Sequence, residues 1–181
     1  MHWLSRQRMG QWGAALALAL ACAATVAVAA GTTDFHQNHR VAPVKSSDEA
    51  TKTVADFDET TWAHLLAHGP RPAAYVFTTT FCSTCPQVFE ILDRSIRAKG
   101  KPMELAAVVM DVPPERVLAH AQHYVGSTRF YAFDGFAPAI RQSVDPEWPN
   151  VTPYVVLLDR KGAVLYRGIG APGDKILSRW R

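Results

Sequence analysis

Cys82 and Cys85 stand three residues apart in the segment Phe-Cys-Ser-Thr-Cys-Pro, residues 81–86. Two thiols at that spacing can close a disulfide, reopen it, and pass the electron pair to a disulfide in another molecule. The attacking species is the thiolate, so a working pair needs surroundings that favour negative charge on the first sulfur. Ser83 and Thr84, between the two cysteines, carry hydroxyls able to donate toward such a thiolate.

The flanking sequence places the pair where a strand gives way to a helix. Residues 73–79 read Ala-Ala-Tyr-Val-Phe-Thr-Thr, rich in aromatic and β-branched side chains and therefore strand-like. After Cys85, apolar residues at Val88, Phe89, Leu92 and Ile96 follow helical spacing. Lys99-Gly100 then supplies a helix end, a late positive charge followed by the residue best suited to a left-handed cap. This reading puts Cys82 at a helix N-terminus, where unpaired N–H groups and the macrodipole depress a thiol's pKa. Cys85 follows one turn on, as the thiol that closes the disulfide.

Other uses of the pair are weaker. A structural disulfide across so short a loop stabilises a chain by only about 2 kcal/mol through loop-closure entropy. A structural zinc site needs two further ligands at fixed spacing, and no second Cys-x-x-Cys is present.

Arg6 and Arg8, an apolar run over 13–27 and Val28-Ala29-Ala30 before Gly31 form the three parts of a secretory signal. The expected organisation is a signal peptide over 1–30, a flexible linker over 31–53 and one domain over 54–181, exported to the periplasm. Two alternatives stay open at the N-terminus. The apolar run can remain as a membrane anchor, or Cys22 can carry a lipid, although Ala19-Leu20-Ala21 matches a lipobox poorly. Cleavage removes Arg6 and Arg8 and no acidic residue, so the net charge falls from +3 to +1. So even a balance argues against a nucleic-acid partner. Cleavage also removes Cys22, which leaves an exported domain whose only cysteines are Cys82 and Cys85, a usage that fits redox chemistry. His36 and His39 in the linker are read as solvated rather than as metal ligands, and so are His64 and His68, four apart on an expected helix.

Along the domain the pattern predicts a strand at 53–57, a helix over 58–68 capped by Asp58 and the strand at 73–79. The helix after Cys85 leads to a buried strand over 104–110, which a helix over 113–124 follows. A short strand near 129–132 and a brief helix over 136–142 come next. A turn-rich loop, Asp-Pro-Glu-Trp-Pro-Asn at 145–150, leads to a strand over 153–158. A turn at 159–162 and a returning strand at 163–167 make a hairpin, and a last helix spans 174–180. Strands alternating with helices and closed by an antiparallel hairpin indicate an α/β class with a mixed central sheet between helices.

With Cys82-Ser83-Thr84-Cys85 at a strand-to-helix junction, Thr152-Pro153 before a strand and a terminal hairpin with Gly162 and Gly168-Ile169-Gly170, the chain resembles the thioredoxin-like superfamily over roughly 54–181. The long segment between the 104–110 strand and Thr152 is similar to the insertion of exported TlpA/ResA-like reductases. The resemblance implies that Cys82 attacks, Cys85 resolves, and Thr152 with a cis Pro153 binds an extended substrate segment. It also implies exported disulfide or thiol proteins as substrates, among them apocytochrome c and copper-site assembly proteins, a membrane thiol–disulfide electron donor, and no cofactor. Three positions depart from the pattern. Phe81 stands where a tryptophan is usual, Val76 where minimal thioredoxins carry an acid, and Val88 where ResA-like proteins carry a glutamate. No buried carboxylate can therefore be assigned to deprotonate Cys85.

A second resemblance, through Phe77 to Pro86, is to SCO-type copper chaperones, thioredoxin-fold proteins that bind copper rather than exchange disulfides. Those space their cysteines by three residues and carry a histidine in the loop before the late strand. The loop over 145–152 has none, and His120 and His123 lie on an earlier helix. The expected metal set is therefore empty, with copper binding as the alternative function.

Overall fold

The computed structural model describes residues 52–180. The expected signal segment, Cys22, and the linker histidines His36 and His39 lie outside the described residues. Strand β2 (Ala73–Thr78) is buried along its whole length. It pairs in parallel with β3 (Glu104–Val109) on one side and antiparallel with β5 (Tyr154–Leu158) on the other. A strand paired on both edges and covered on both faces needs a near-continuous apolar run, which all three supply apart from Glu104 at the start of β3 and Thr78 at the end of β2. Outward from this centre, β4 (Arg129–Phe133) pairs in parallel with β3 and with β1 (Thr53–Phe57). On the other flank β6 (Val164–Ile169) returns antiparallel to β5. The result is one six-stranded mixed sheet in the order β1-β4-β3-β2-β5-β6.

Alternate side chains of each strand go to opposite faces, and each face has its own core. Tyr75, Phe77, Val108, Tyr131 and Val156 pack against Trp62 and Leu65 of α1 (Thr61–His68) and Ile140 and Val144 of α4 (Ala137–Val144). Val76, Leu105, Ala107, Phe130 and Leu157 meet Val88, Phe89 and Leu92 of α2 (Cys85–Lys99), with Val117, Tyr124, Leu177 and Trp180. The layout is the one the thioredoxin-like resemblance implies: a mixed sheet between helices, ending in a hairpin and a C-terminal helix, α5 (Asp174–Arg179).

Asp58 caps α1 as its position predicts. One carboxylate oxygen accepts from the N–H groups of Thr60 and Thr61, each at 2.8 Å, and from both threonine hydroxyls. The Thr61 hydroxyl leads these bonds in holding the Asp58 carboxyl down to about 2. The segment expected as one helix over 113–124 differs. It is α-helical only over α3 (Pro114–Val117), and it tightens to a 3₁₀ turn over Leu118–His123. None of the residues in that turn is buried, so no packed face holds the longer α form, and the segment ends by driving Tyr124 inward.

The C-terminal helix is secured by one residue beyond its end. Trp180 is fully buried, and its indole N–H donates to the Leu158 carbonyl at 3.0 Å, beside the register shift at Leu157/Leu158. Trp180→Ala is expected to cost about 3–5 kcal/mol through the cavity it leaves. Trp180→Phe keeps most of the apolar contact and orphans the carbonyl, for about 1–3 kcal/mol. Urea unfolding of both variants checks the order; an unchanged midpoint in Trp180→Phe would mean that the hydrogen bond contributes nothing.

Candidate active site

The chain leaves β2 through Thr79 and Thr80 and makes a turn before α2 starts. The Cys82 N–H donates to the Thr79 carbonyl at 3.2 Å, and the Cys85 N–H to the Cys82 carbonyl at 3.3 Å. The helix therefore begins at Cys85, and Cys82 sits in the turn that leads into its N-terminus. Pro86 is the reason: it favours the first turn of a helix, where its missing N–H costs little, and so sets the start one step earlier in that turn. The positive end of the α2 dipole still lies beside the pair.

Cys82 and Cys85 are joined as a disulfide with their Cα atoms 5.4 Å apart. The two sulfurs differ in access. Cys85 is 1% exposed, whereas Cys82 is half-buried and opens onto a cavity of about 270 Å³. That cavity is lined by Thr79, Thr80, Phe81, Ser83, Pro86, His123 and Tyr124 besides Cys82. The Thr84 hydroxyl lies 3.9 Å from the Cys82 sulfur, while Ser83 contributes to the wall. A cavity of similar size lies at the other end of the strands, near Lys99, Lys101 and Arg160, and holds no thiol.

Thr152 and Pro153 come to the same end of the sheet because β5 runs antiparallel to β2. Tyr154 pairs with Phe77, so the residues before Tyr154 continue alongside those after Phe77. The Thr152–Pro153 peptide bond is cis, as is Arg71–Pro72, and the Pro153 carbonyl accepts from the Gly170 N–H at 2.9 Å. Exposed Phe81, Val151 and Ile169 add apolar surface at this end.

Two features become plain only in the structure. Asp111, just past β3, accepts from the Thr80 N–H at 2.9 and 3.0 Å and from the Thr80 hydroxyl at 2.6 Å. It ties down the loop two residues before Cys82. An aspartate directly after a buried strand was the available signal, but only the β2–β3 pairing shows which loop it reaches. The second is the support beneath Thr152–Pro153. Trp148 stacks on Tyr154 with centroids 4.5 Å apart, and its indole N–H donates to the Val151 carbonyl at 3.1 Å. Asp145, nearly buried, accepts from the Tyr154 hydroxyl and from the Glu147 N–H, with Arg167 at 3.6 Å.

Among the described residues no group of three His, Cys, Asp or Glu side chains is placed to hold a metal. His64 and His68 stand with ring centroids 5.0 Å apart on the exposed side of α1. His123 is the exception in position, for the 3₁₀ turn brings it to the wall of the Cys82 cavity.

Burial pushes the Asp145 carboxyl up, but the Tyr154 hydroxyl, the Glu147 N–H and the Arg167 guanidinium outweigh it and hold it below the ordinary value of 3.8. A depressed carboxylate contributes stability above its unfolded pKa and loses it as pH falls through the folded one. Asp145→Asn should therefore lower the urea midpoint at pH 7, with the gap from wild type closing as the pH falls below 3.8. A gap that stays constant with pH would show that the charge of Asp145 does not matter.

Solved structures similar to this chain are thiol-disulfide exchange proteins. The thio-disulfide isomerase from Thermus thermophilus is 24% identical over 63% of this chain and 79% of that one, with a TM-score of 0.46. The thiol:disulfide interchange protein from a Bacteroides species is 15% identical, covering 64% of this chain and 74% of its own, at 0.47. The thioredoxin domain of a thiol-disulfide oxidoreductase from Bacteroides vulgatus is 15% identical, covering 60% and 76%, at 0.45. No family model matches the sequence, and no curated protein does.

Proposed function

We propose that this protein is an extracytoplasmic thiol–disulfide oxidoreductase that reduces disulfides of exported proteins. The observation that carries the reading is the unequal access of two bonded sulfurs: Cys82 opens onto a cavity beside a helix start, and Cys85 is sealed behind it. In the reducing direction the Cys82 thiolate attacks one sulfur of a substrate disulfide, whose other sulfur leaves as a thiolate. Cys85, deprotonated, then attacks the Cys82 sulfur; the Cys82–substrate bond breaks and the second substrate sulfur leaves with the electron pair. The substrate gains two electrons and the protein returns to the disulfide form. No organic cofactor is needed for either step.

Thr152 and Pro153 are assigned the substrate-facing loop, where an extended segment can lie along the backbone as an added strand. Phe81, Val151 and Ile169 offer apolar contact to such a segment. The secretory signal supports export to the periplasm, with a membrane thiol–disulfide protein as the electron source and apocytochrome c or copper-site assembly proteins as substrate classes. Among the described residues no helix is long and apolar enough to cross a membrane.

Cys85→Ser is expected to trap a mixed disulfide between Cys82 and a disulfide-bonded test protein, visible on a non-reducing gel. Cys82→Ser should form none. Trapping through Cys85 in the Cys82 variant would reverse the assignment. The reduction potential of the pair gives the direction: a value near about −270 mV marks a reductant, and one near about −120 mV a disulfide donor.

One observation favours a second reading, copper binding. His123 stands on the wall of the cavity that Cys82 also lines, so reduction would offer a soft thiolate and an imidazole around one cavity. Tight Cu(I) binding by the reduced protein, weakened at least tenfold by His123→Ala and accompanied by poor disulfide exchange, would put that reading first.

A further inference from the structure

The end of the sheet away from Cys82 gathers positive charge. The four parallel strands all begin there. Lys52 stands directly before β1, Arg71 two residues before β2 and Lys101 three before β3, while Arg129 opens β4. The β5–β6 turn adds Arg160 and Lys161, and the last residue of α2 is Lys99. Two carboxylates lie among these cations, and both are engaged. Glu104 pairs with Arg129 at 3.3 Å, and Asp159 accepts from the backbone N–H groups of Lys161 and Ala163 at 2.7 and 2.9 Å. At the Cys82 end the acids gather instead: Asp58, Asp111 and Asp134 follow three of the parallel strands, and Asp145 and Glu147 precede β5. Residues 52–180 hold 14 lysines and arginines against 13 aspartates and glutamates, so the asymmetry is one of placement rather than of net charge.

The basic end is also hollow. Lys99, Lys101 and Arg160 line a cavity of about 280 Å³ whose apolar part is Pro72, Pro102 and Met103, with no acidic side chain among its lining residues. A second cavity of about 270 Å³ shares those three apolar residues and extends the hollow to Arg71 and Glu104. Helix ends account for Lys99, whose ammonium donates to the Leu177 carbonyl in the last turn of α5 at 2.8 Å. They do not account for Lys101 and Arg160, which stand exposed on loops. Three like charges around one hollow repel one another, and an anion between them relieves that repulsion.

We propose that this end of the domain docks on a bilayer containing anionic phospholipid, with a headgroup phosphate among Lys99, Lys101 and Arg160. Protein partners are held through a centre rich in aromatic residues and poor in lysine. The exposed aromatics Phe81 and Phe136 lie at the Cys82 end instead. A headgroup layer attracts lysine and arginine by charge and needs no shaped apolar centre. The chain also enters the domain on this side, through Lys52, downstream of the apolar run over 13–27. That run, kept as an anchor, would tether the domain by its basic end. Docking in this way turns the acidic Cys82 end away from the lipid and toward soluble substrates. The proposal does not rest on the redox reading of the cysteines.

The test measures binding of the full chain to vesicles of equimolar phosphatidylglycerol and phosphatidylcholine, against vesicles of phosphatidylcholine alone. Arg6, Arg8 and the apolar run are the same in every variant, so differences between variants report the domain. Lys101→Gln combined with Arg160→Gln is expected to lower binding to the mixed vesicles about thirtyfold, about fivefold for each cation removed. Binding to phosphatidylcholine alone and the urea midpoint should not move, and high salt should erase the difference. Arg94→Gln combined with Arg116→Gln removes the same charge from exposed positions that do not line the cavity, and should leave most of the binding in place. An unchanged preference for the mixed vesicles in the Lys101/Arg160 variant overturns the proposal. An equal loss in the Arg94/Arg116 variant also overturns it, because net charge alone would then govern binding. Retention of the wild type on immobilised polyglutamate, lost in the Lys101/Arg160 variant and with no preference for the mixed vesicles, overturns it in favour of an acidic protein partner.

Discussion

The whole arrangement depends on β2 being a central strand with opposite neighbours. Its parallel bond to β3 brings the end of β3, with Asp111, beside the loop that carries the cysteines. Its antiparallel bond to β5 brings the start of β5, with Thr152 and Pro153, to the same place from the opposite chain direction. One strand thus gathers three loops separated by long stretches of sequence. The burial of Ala73 to Thr78 on both faces holds that register, because a slip by one residue would exchange the two cores.

The same constraint explains why so much of the fold could be read from the sequence. The central strands are largely apolar runs of the right length bounded by turn residues, and α2 carries a clear helical period ended by Gly100 in the left-handed conformation. The reading fell short where local pattern and packing disagree. Nothing in residues 113–124 reveals that the turn from Leu118 to His123 will have no buried face and so tighten. Pro86, read as a neighbour of the redox pair, also marks where α2 starts and leaves Cys82 in the preceding turn.

At the site, the cysteines announce themselves by spacing, and Thr152–Pro153 by position relative to the hairpin. The residues that support them do not. Asp145 and Tyr154 meet across the bend that enters β5, and Trp148 folds back over Tyr154 and onto the Val151 carbonyl. Each is unremarkable in sequence, one acid and two aromatics in a loop rich in proline. Together they bury a charge by surrounding it with donors, which is the condition for such a charge to be tolerated. The loop beside the redox pair is thereby built on a packed base.

Val76 shows how the polar character of the site was displaced. It occupies the position in β2 where a minimal thioredoxin carries its acid, yet here that position belongs to an apolar core. Polar groups return from elements that cross over the end of the sheet: Asp111 from beyond β3, and Tyr124 and His123 from the 3₁₀ turn. The long insertion between β3 and β5 makes this return possible, because its tightened turn carries Tyr124 inward and sets His123 on the cavity wall.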